Sequence, residues 1–404
     1  MRIVQINSCI NGSTGKIMRE IQGYAQETGH QCYIATKRDF STRKFPKQQH
    51  VYIGNILDKR LHGWLAYKTG NEGGYSKYAT LKFILWIEKF QPDIIHLHNL
   101  HPNYINLELL FNYLKQKKIQ AVWTLHDCWS FTGGCPHFEI AECNKWKTQC
   151  SNCTQYQDYP SCEIDNSKKM FIKKKQLFAG LQNMTIVTPS LWLQRLVQQS
   201  FLKEYPVYTI HNGVDLNIFK PAENSFKEKY DLQGKFVLLG VSFGWGIRKG
   251  LEIINDLADE LDERFKIVLA GVGEAASNKV HRKILCIEKT ENQRQLAEIY
   301  AGSDLFINPT LEDNYPTVNI EAIACGLPVL TFDTGGCGEC INDSCGFVVK
   351  RNDYASFLGA IYAMYENNMD KSGVLENRER ISSVHMCQKY VSLYEELLKN
   401  SRRV

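Results

Sequence analysis

The sequence predicts an α/β protein built from two doubly wound domains, each with a parallel sheet. Short apolar runs alternate with longer amphipathic stretches along the whole chain, and the alternation occurs in two separate series. An Asn-Gly step and a proline between His211 and Pro221 punctuate the change from one series to the next. The chain has 404 residues, of which 44% are apolar, and this is enough for two domains to bury a core each.

The strands follow one another at regular intervals, with helical stretches between them. They are predicted at 3–6, 32–35, 94–98, 121–125, 185–188 and 207–210, and then at 236–241, 265–270, 284–287, 305–308 and 328–332. After Ser382, apolar side chains recur at helical spacing. We expect a first domain at 1–211 with a Cys-rich insert at about 128–162, a second domain at 212–384, and a last helix at 385–404 that returns to the first domain.

Composition and charge exclude several classes of protein. Glycines and prolines are scattered, which excludes collagenous and disordered chains, and no apolar segment predicts a membrane span or a signal peptide. We therefore expect a cytoplasmic protein whose 14 cysteines are thiols or metal ligands. Residues 1–212 carry 26 Lys and Arg against 15 Asp and Glu, so this half is either a solvated basic surface or meets a membrane, a phosphorylated lipid or a nucleic acid.

The first predicted strand runs into a glycine-rich loop, Gly12-Ser13-Thr-Gly15, that precedes a helix. Glycines let a backbone approach a ligand, and a helix N-terminus offers N–H groups to a phosphate. A P-loop is excluded because Ile10 and Ile17 stand where that motif requires Gly and Ser or Thr. The loop is either an anion site or a structural turn.

Histidines cluster after two neighbouring strands. His96, His98 and His101 follow one strand, and His126 with Asp127 follows the next. Residues of these types serve as metal ligands or as acids and bases, which would suit a metallohydrolase. The alternative is that the histidines hydrogen-bond to loops or to substrate hydroxyls.

The insert holds a series of cysteines with one close pair. Four of them, Cys135, Cys143, Cys150 and Cys153, could form a structural zinc site in a reducing compartment. Free thiols and disulfides are the alternatives.

Two stretches of the second domain favour a phosphorylated, hydroxyl-rich ligand. Arg248 and Lys249 lie in a glycine-rich turn after a strand, where they suit a diphosphate or are merely solvated. Further on, Asp313 lies in a loop after a strand and Glu321 lies on the following helix, eight residues later. Carboxylates accept hydrogen bonds from sugar hydroxyls, and the helix start near Pro316 favours an anion.

The segment Asp313-x7-Glu321-Ala-x-Ala-Cys-Gly-x-Pro-Val resembles the E-x7-E signature of the retaining GT-B glycosyltransferases of family 4 (GT4), in the variant that begins with Asp. Matches in order along the chain support the resemblance. They are Gly12-Ser-Thr-Gly15, His96-Leu-His-Asn, Thr124-Leu-His-Asp, Thr188-Pro-Ser-x-Trp-Leu193, Asn212-Gly-Val-Asp215, Arg248-Lys-Gly250, Tyr300-Ala-Gly-Ser-Asp304 and Phe332-Asp-Thr-Gly-Gly336. The insert resembles the branch found in bacterial polysaccharide, O-antigen and capsule gene clusters.

The resemblance implies a GT-B fold, with two Rossmann-like domains facing a cleft, and a retaining, hexosyltransferase-type enzyme. A nucleotide diphosphate sugar, UDP- or GDP-linked, would be the donor, and a glycan or lipid-pyrophosphate-linked sugar the acceptor, with no nucleic acid and no cofactor required for catalysis. The catalytic residues would be His126, Asp313 and Glu321, and His98 and Asp127 would lie on the acceptor side. The donor-binding residues would be Gly12, Ser13, Gly15, Arg248, Lys249, Asn314, Tyr315, Pro316, Thr317, Val318 and Glu321.

The segment Lys168–Phe178 mixes five lysines with apolar residues. It could lie on an anionic membrane leaflet, which would place the enzyme at the cytoplasmic face of the inner membrane, or it could be a core helix with an exposed basic face. Besides the transferase, the sequence leaves two hypotheses open. One is the histidine-based metallohydrolase, and the other is a GT-B enzyme that binds or epimerises nucleotide sugars without transfer.

Overall fold

The computed structural model describes residues 1–38, 49–223, 225–367 and 371–401. These residues divide into two compact units. The first comprises Met1–His211 and Met386–Val404, and the second comprises Asn212–His385. Among the described helices, none is both long and apolar enough to cross a membrane.

The first unit contains a seven-stranded sheet in which all neighbouring strands are parallel, in the order β3-β2-β1-β4-β5-β6-β7. Its strands are β1 (Arg2–Asn7), β2 (Gln31–Lys37), β3 (His50–Ile53), β4 (Ile94–Leu97), β5 (Gln120–Thr124), β6 (Met184–Thr188) and β7 (Val207–Thr209). Its helices are α1 (Gly12–Glu27), α2 (Ile56–Thr69), α3 (Lys77–Phe90), α4 (Leu107–Lys117), α5 (Ser167–Phe178) and α6 (Leu191–Gln199). Parallel strands joined by helices bury both faces of the sheet, which explains the apolar runs of the sequence.

The second unit contains a six-stranded sheet, again parallel throughout, in the order β10-β9-β8-β11-β12-β13. Its strands are β8 (Phe236–Val241), β9 (Phe265–Ala270), β10 (Leu285–Ile287), β11 (Leu305–Asn308), β12 (Val329–Asp333) and β13 (Gly346–Lys350). Its helices are α7 (Phe226–Lys229), α8 (Leu251–Glu260), α9 (Glu274–Ser277), α10 (Gln293–Ala301), α11 (Thr317–Ala324), α12 (Tyr354–Glu366) and α13 (Lys371–Leu375). The predicted α/β class with two parallel sheets is confirmed.

The last helix, α14 (Ser383–Ser401), packs on the first sheet from Met386 onward. Its apolar side joins a buried cluster with residues of β1, α1 and β5, among them Ile3, Ile17 and Val122. The hydroxyls of Tyr390 and Tyr394 both reach this sheet, and both rings are almost completely buried.

Helix α5 is a core helix. Met170, Phe171 and Phe178 are buried in the first unit, and so is the whole side chain of Lys174. The other side of the helix, including Lys168, Lys169 and the apolar Ile172, is exposed. The segment is thus a core helix with an exposed, mainly basic side, and its contact with a membrane stays a prediction.

In each sheet the strand order reverses beside the first strand, between β1 and β4 in the first unit and between β8 and β11 in the second. Loops at such a switch point leave the sheet on opposite faces and open a crevice at the carboxyl ends of the strands. Most of the sequence-predicted site residues lie in these loops or at the start of the helix that follows.

Candidate active site

The loop after β8 and the loop after β11 are packed tightly against each other. Gly250 adopts a left-handed conformation with φ +70°, and a Cβ there would lie 2.2 Å from the carbonyl oxygen of Pro309. The backbone N–H of Leu311 donates to the carbonyl of Arg248 over 2.8 Å. Any side chain at position 250 would separate the two loops, so the glycine of the Arg-Lys-Gly turn is required by packing.

Opposite charges meet between these two loops. The Nζ of Lys249 lies 2.5 Å from Oδ2 of Asp313, and each side chain is less than one-fifth exposed. The guanidinium of the exposed residue Arg248 donates from Nη1 to the carbonyl of Glu312 over 3.2 Å. The two adjacent cations therefore lie beside the first carboxylate of the signature.

The second carboxylate of the signature is buried on α11. Glu321 accepts a hydrogen bond at Oε2 from the hydroxyl of Tyr300 over 3.2 Å. Burial and the nearby carboxylate raise the pKa of Tyr300 well above its ordinary value, so the tyrosine remains a donor. Helix α11 begins at Thr317, directly after Pro316, with Asn314 and Tyr315 buried just before it.

A chain of hydrogen bonds orders the histidines of the first unit. The amide nitrogen of Gln5 donates to the carbonyl of Met18, which turns its Oε1 toward Nε2 of His98 at 3.1 Å. That contact assigns the proton of His98 to Nε2, so Nδ1 accepts from Nε2 of His126 at 3.0 Å.

Burial lowers the pKa of His98 well below its ordinary value and that of His126 to about 4. Both imidazoles are therefore neutral near pH 7. His96, which is also buried, bonds to Thr124 at 2.8 Å and to the hydroxyl of Tyr394 at 2.7 Å.

His101 and Asp127 form a buried ion pair with 3.0 Å between Nε2 and Oδ2. Burial alone would lower the pKa of His101, but the carboxylate of Asp127 outweighs it and raises the pKa. Burial would likewise raise the pKa of Asp127, but the charge and hydrogen bond of His101 lower it to about 2. The backbone N–H of Trp129 donates to the other carboxylate oxygen over 2.9 Å.

Two buried ionisable side chains, Glu72 and Lys174, contact Trp129. The indole N–H donates to Glu72 over 2.6 Å, and Nζ of Lys174 lies 3.6 Å from the ring centroid. Lys174 also donates to the carbonyls of Trp129 and Thr132 at 2.6 and 3.2 Å. Burial raises the pKa of Glu72 and lowers that of Lys174 to about 8.

Two family models match the chain. The model described as Glycosyltransferase Family 4 matches residues 15–218, and the model described as Glycosyl transferases group 1 matches residues 235–367. The chain belongs to glycosyltransferase family 4.

Relatives and solved structures agree with the assignment. The colanic acid biosynthesis glycosyl transferase WcaC of Escherichia coli K12 is 24% identical over 326 residues, covering 76% of this chain and 77% of the relative. The solved sucrose-phosphate synthase from Thermosynechococcus elongatus has a TM-score of 0.71 at 14% identity and covers 99% of both chains. HepE from Anabaena, solved with UDP, has a TM-score of 0.68 at 14% identity and covers 98% of this chain and 100% of its own. These likenesses confirm the GT-B fold.

In the glycosyltransferase, the structure brings together several residues that the sequence predicted separately. Lys249 and Asp313 form one pair, and His98 and His126 form another. Asp127 contacts His101 instead, a histidine for which the sequence predicted no partner. Packing also requires a glycine at position 15, because a Cβ there would lie 2.3 Å from the backbone of Ile10.

The four insert cysteines were predicted to form a structural zinc site. Across the described parts of the chain, no group of three or more His, Cys, Asp or Glu side chains could hold a metal ion. Cys150 accepts the backbone N–H of Gly133, and a hydrogen bond from Cys135 lowers the pKa of Cys153 to about 7. The zinc site at Cys135, Cys143, Cys150 and Cys153 stays a prediction.

Sequence reasoning missed several partners of the site residues. Four residues hydrogen-bond either to a predicted site residue or to Trp129, close to Asp127. They are Gln5, Tyr300, Lys174 and Glu72, and no sequence motif predicts these contacts. Tyr300 alone lay in a matched segment, Tyr300-Ala-Gly-Ser-Asp304, and could have been suspected.

Proposed function

We propose that this glycosyltransferase moves a sugar from a nucleotide diphosphate sugar to a glycan or lipid-linked acceptor in surface polysaccharide synthesis, with retention of configuration. The observation that carries the proposal is the convergence of Arg248, Lys249 and Asp313 between the loops after β8 and β11. The name of WcaC supports the class of product, and the UDP bound by HepE supports the class of donor.

The diphosphate of the donor would bind the two cations. Arg248 is exposed and offers a planar fork of donors, while Lys249 is a point charge already paired with Asp313. A diphosphate competes with Asp313 for Lys249, because both are anions. Donor binding would therefore release the carboxylate of Asp313 to accept hydrogen bonds from the sugar hydroxyls.

The nucleoside would bind beside α11. Glu321 is proposed to hold the ribose hydroxyls, and the Tyr300 hydroxyl fixes the position of its carboxylate. The backbone at the start of the helix would reach the sugar and the diphosphate, since N–H groups there point away from the helix. The residues concerned are Asn314, Tyr315, Pro316, Thr317 and Val318, of which Pro316 contributes shape rather than an N–H.

The reaction must stabilise an oxocarbenium-like sugar and a departing diphosphate. Fixed cations and helix N–H groups near the diphosphate contribute most, because they need no reorganisation as charge develops. With a pKa of about 4, His126 is a weak base at neutral pH, which favours an oxygen of the donor phosphate as the group that takes the acceptor proton. His126 would instead orient the sugar as a neutral imidazole, and we expect turnover without an added divalent cation.

The acceptor is assigned to the first unit. His98, His126 and Asp127 follow β4 and β5. Both ring nitrogens of His98 are engaged by Gln5 and His126, so we expect His98 to orient His126, and His126 to contact the acceptor hydroxyls. Gly12, Ser13 and Gly15 stay a proposed phosphate contact. A lipid-pyrophosphate carrier of the acceptor would bring the enzyme to the cytoplasmic face of an anionic membrane.

A thermal-shift panel tests the donor proposal. The wild type is melted with UDP, GDP, ADP, CMP and their sugars, each with and without EDTA. A ligand that binds only the folded state raises the melting temperature. We expect one nucleoside diphosphate to stabilise the protein whether or not EDTA is present, and this identifies the base.

Two variants sharpen the test. In Glu321→Ala the nucleotide-induced shift should disappear, whereas in Glu298→Ala, exposed on α10 of the same unit, it should persist. Absence of a response to every nucleotide in the wild type would refute the proposal. Formation of a product without any acceptor would favour the non-transferring enzyme.

A further inference from the structure

Helices α2 and α3 expose an unusual number of large apolar side chains. Leu57 is 74% exposed and Tyr78 is 70% exposed. The exposed apolar residues are Leu57, Leu61, Trp64 and Tyr67 on α2, and Tyr78, Leu81 and Leu85 on α3. On each helix they recur three or four residues apart and so share one side. We call these seven residues the α2–α3 apolar face.

The α2–α3 apolar face is not part of the protein core, because α2 packs its opposite side against the protein. Towards the protein, α2 buries His62 and Ala66, and Nδ1 of His62 bonds to the Ser76 hydroxyl at 2.7 Å. Ser76 in turn donates to Asp58 at 2.7 Å, which joins the first half of α2 to the start of α3. The helix thus turns polar and small residues inward and Leu57, Leu61 and Trp64 outward. Exposed apolar surface of this kind on a helix marks a site of interaction.

Cations surround the face. Its own helices contribute Lys59, Arg60, Lys68, Lys77 and Lys82, and the exposed side of α5 adds Lys168, Lys169 and Lys175. Helix α5 lies next to this region, since Lys173 donates to Asn71, just after α2, over 2.8 Å. Of the acidic groups near these cations, Asp58 accepts from Ser76, Glu88 pairs with Lys117 at 2.9 Å, and Glu163 pairs with Lys68 at 2.7 Å. The remaining lysines and Arg60 outnumber these carboxylates. The surface therefore combines large apolar residues with net positive charge.

The combination of large apolar residues with positive charge indicates which partner covers the α2–α3 apolar face. A second copy of the chain docked face to face would bring the same cations together, and like charges across an interface are costly. A bilayer with anionic headgroups offers apolar chains for the leucines and negative charge for the lysines, and tryptophan and tyrosine favour the boundary between them. We propose that the α2–α3 apolar face enters the interfacial layer of an anionic membrane, with the lysines of α5 contacting headgroups. The inference rests on the proposed lipid-linked acceptor for its purpose.

Vesicle co-sedimentation of the full chain tests the inference. The wild type should sediment with vesicles of phosphatidylglycerol and phosphatidylcholine, much less with phosphatidylcholine alone, and less at high salt. The triple variant Leu57→Ser, Leu61→Ser, Trp64→Ser should bind about tenfold more weakly or worse, because apolar contact is lost while every cation remains. The matched control is Leu191→Ser, which alters an exposed leucine on α6 of the same unit and should bind like the wild type.

Folding and donor binding are followed separately. The triple variant should keep the wild-type melting temperature and its nucleotide-induced shift, since none of its three residues is assigned to the candidate active site. The inference is overturned if the wild type ignores anionic vesicles or if the triple variant binds them equally well. It is also overturned if the wild type is a dimer by light scattering and the triple variant a monomer, because a second copy then covers the face. A wild type that binds vesicles but no nucleotide would refute the proposed function alone.

Discussion

Replacing Asp127 by Asn removes one negative charge while keeping the shape of a buried pair. The amide of the variant can still accept from the backbone N–H of Trp129 and can donate to Nε2 of His101. Both hydrogen bonds can therefore form between neutral groups. What is lost is the stabilisation that lowers the pKa of Asp127 from 3.8 to about 2. At about 1.36 kcal/mol for each pKa unit, this corresponds to about 2 kcal/mol of unfolding free energy near pH 6. The raised pKa of His101 reports the same interaction and is not added to it.

The directions of the two pKa shifts determine how the stability difference depends on pH. A lowered carboxylate pKa contributes stability above about pH 4, and this is lost as the pH falls toward 2. A raised histidine pKa contributes stability below 6.5, and this is lost as the pH rises through the raised value. The stability difference between wild type and Asp127→Asn should therefore be largest between these limits and shrink on both sides.

Guanidinium unfolding followed by tryptophan fluorescence is the appropriate assay, because six of the seven tryptophans lie in the first unit. It is run at several pH values, with Asp158→Asn, an exposed change in the same insert, as the matched control. A stability difference that is independent of pH, or equal in the control, would refute the reasoning from the ion pair.

Four further substitutions probe the first unit. Tyr394→Phe removes the hydrogen bond to His96 and should lower the unfolding free energy by about 1 kcal/mol, measured by guanidinium unfolding. Lys174→Met leaves two buried carbonyls without their charged donor and should cost about 3 kcal/mol in the same assay, with a shifted tryptophan emission. Gly15→Val drives a side chain into the preceding loop and should lower the melting temperature sharply, whereas Gly23→Ala, which meets open space within α1, should raise it slightly.

The sequence predicted eleven strands in two parallel series, and the structure has all of them together with two more. The missed strands, β3 and β13, lie at sheet edges, where fewer apolar neighbours are needed. β3 is four residues long, and β13 exposes Phe347 and Val348. β7 and β10 also lie at sheet edges and were predicted, so an edge position alone does not hide a strand from the apolar pattern.

The candidate site, like the fold, was predicted only in part from the sequence. Spacing after strands placed Asp313, Lys249 and His126 in loops at one edge of each sheet, and this follows from the topology of parallel sheets. Which side chains meet there depends on contacts between distant parts of the chain. Lys249 and Asp313 are 64 positions apart, and His96 and Tyr394 are 298 apart. A single sequence contains no local pattern for such pairs, so the partners came from the structure alone.

The packing of α14 on the first sheet has a consequence for how the protein is made. During synthesis, residues 1–211 leave the ribosome long before Tyr390 and Tyr394, which complete the buried cluster against Ile3 and Val122. The nascent first unit must wait, with that apolar surface uncovered, until the whole second unit has been translated. A fragment ending at His211 should consequently be prone to aggregation, and a peptide of residues 383–401 supplied during refolding should rescue it.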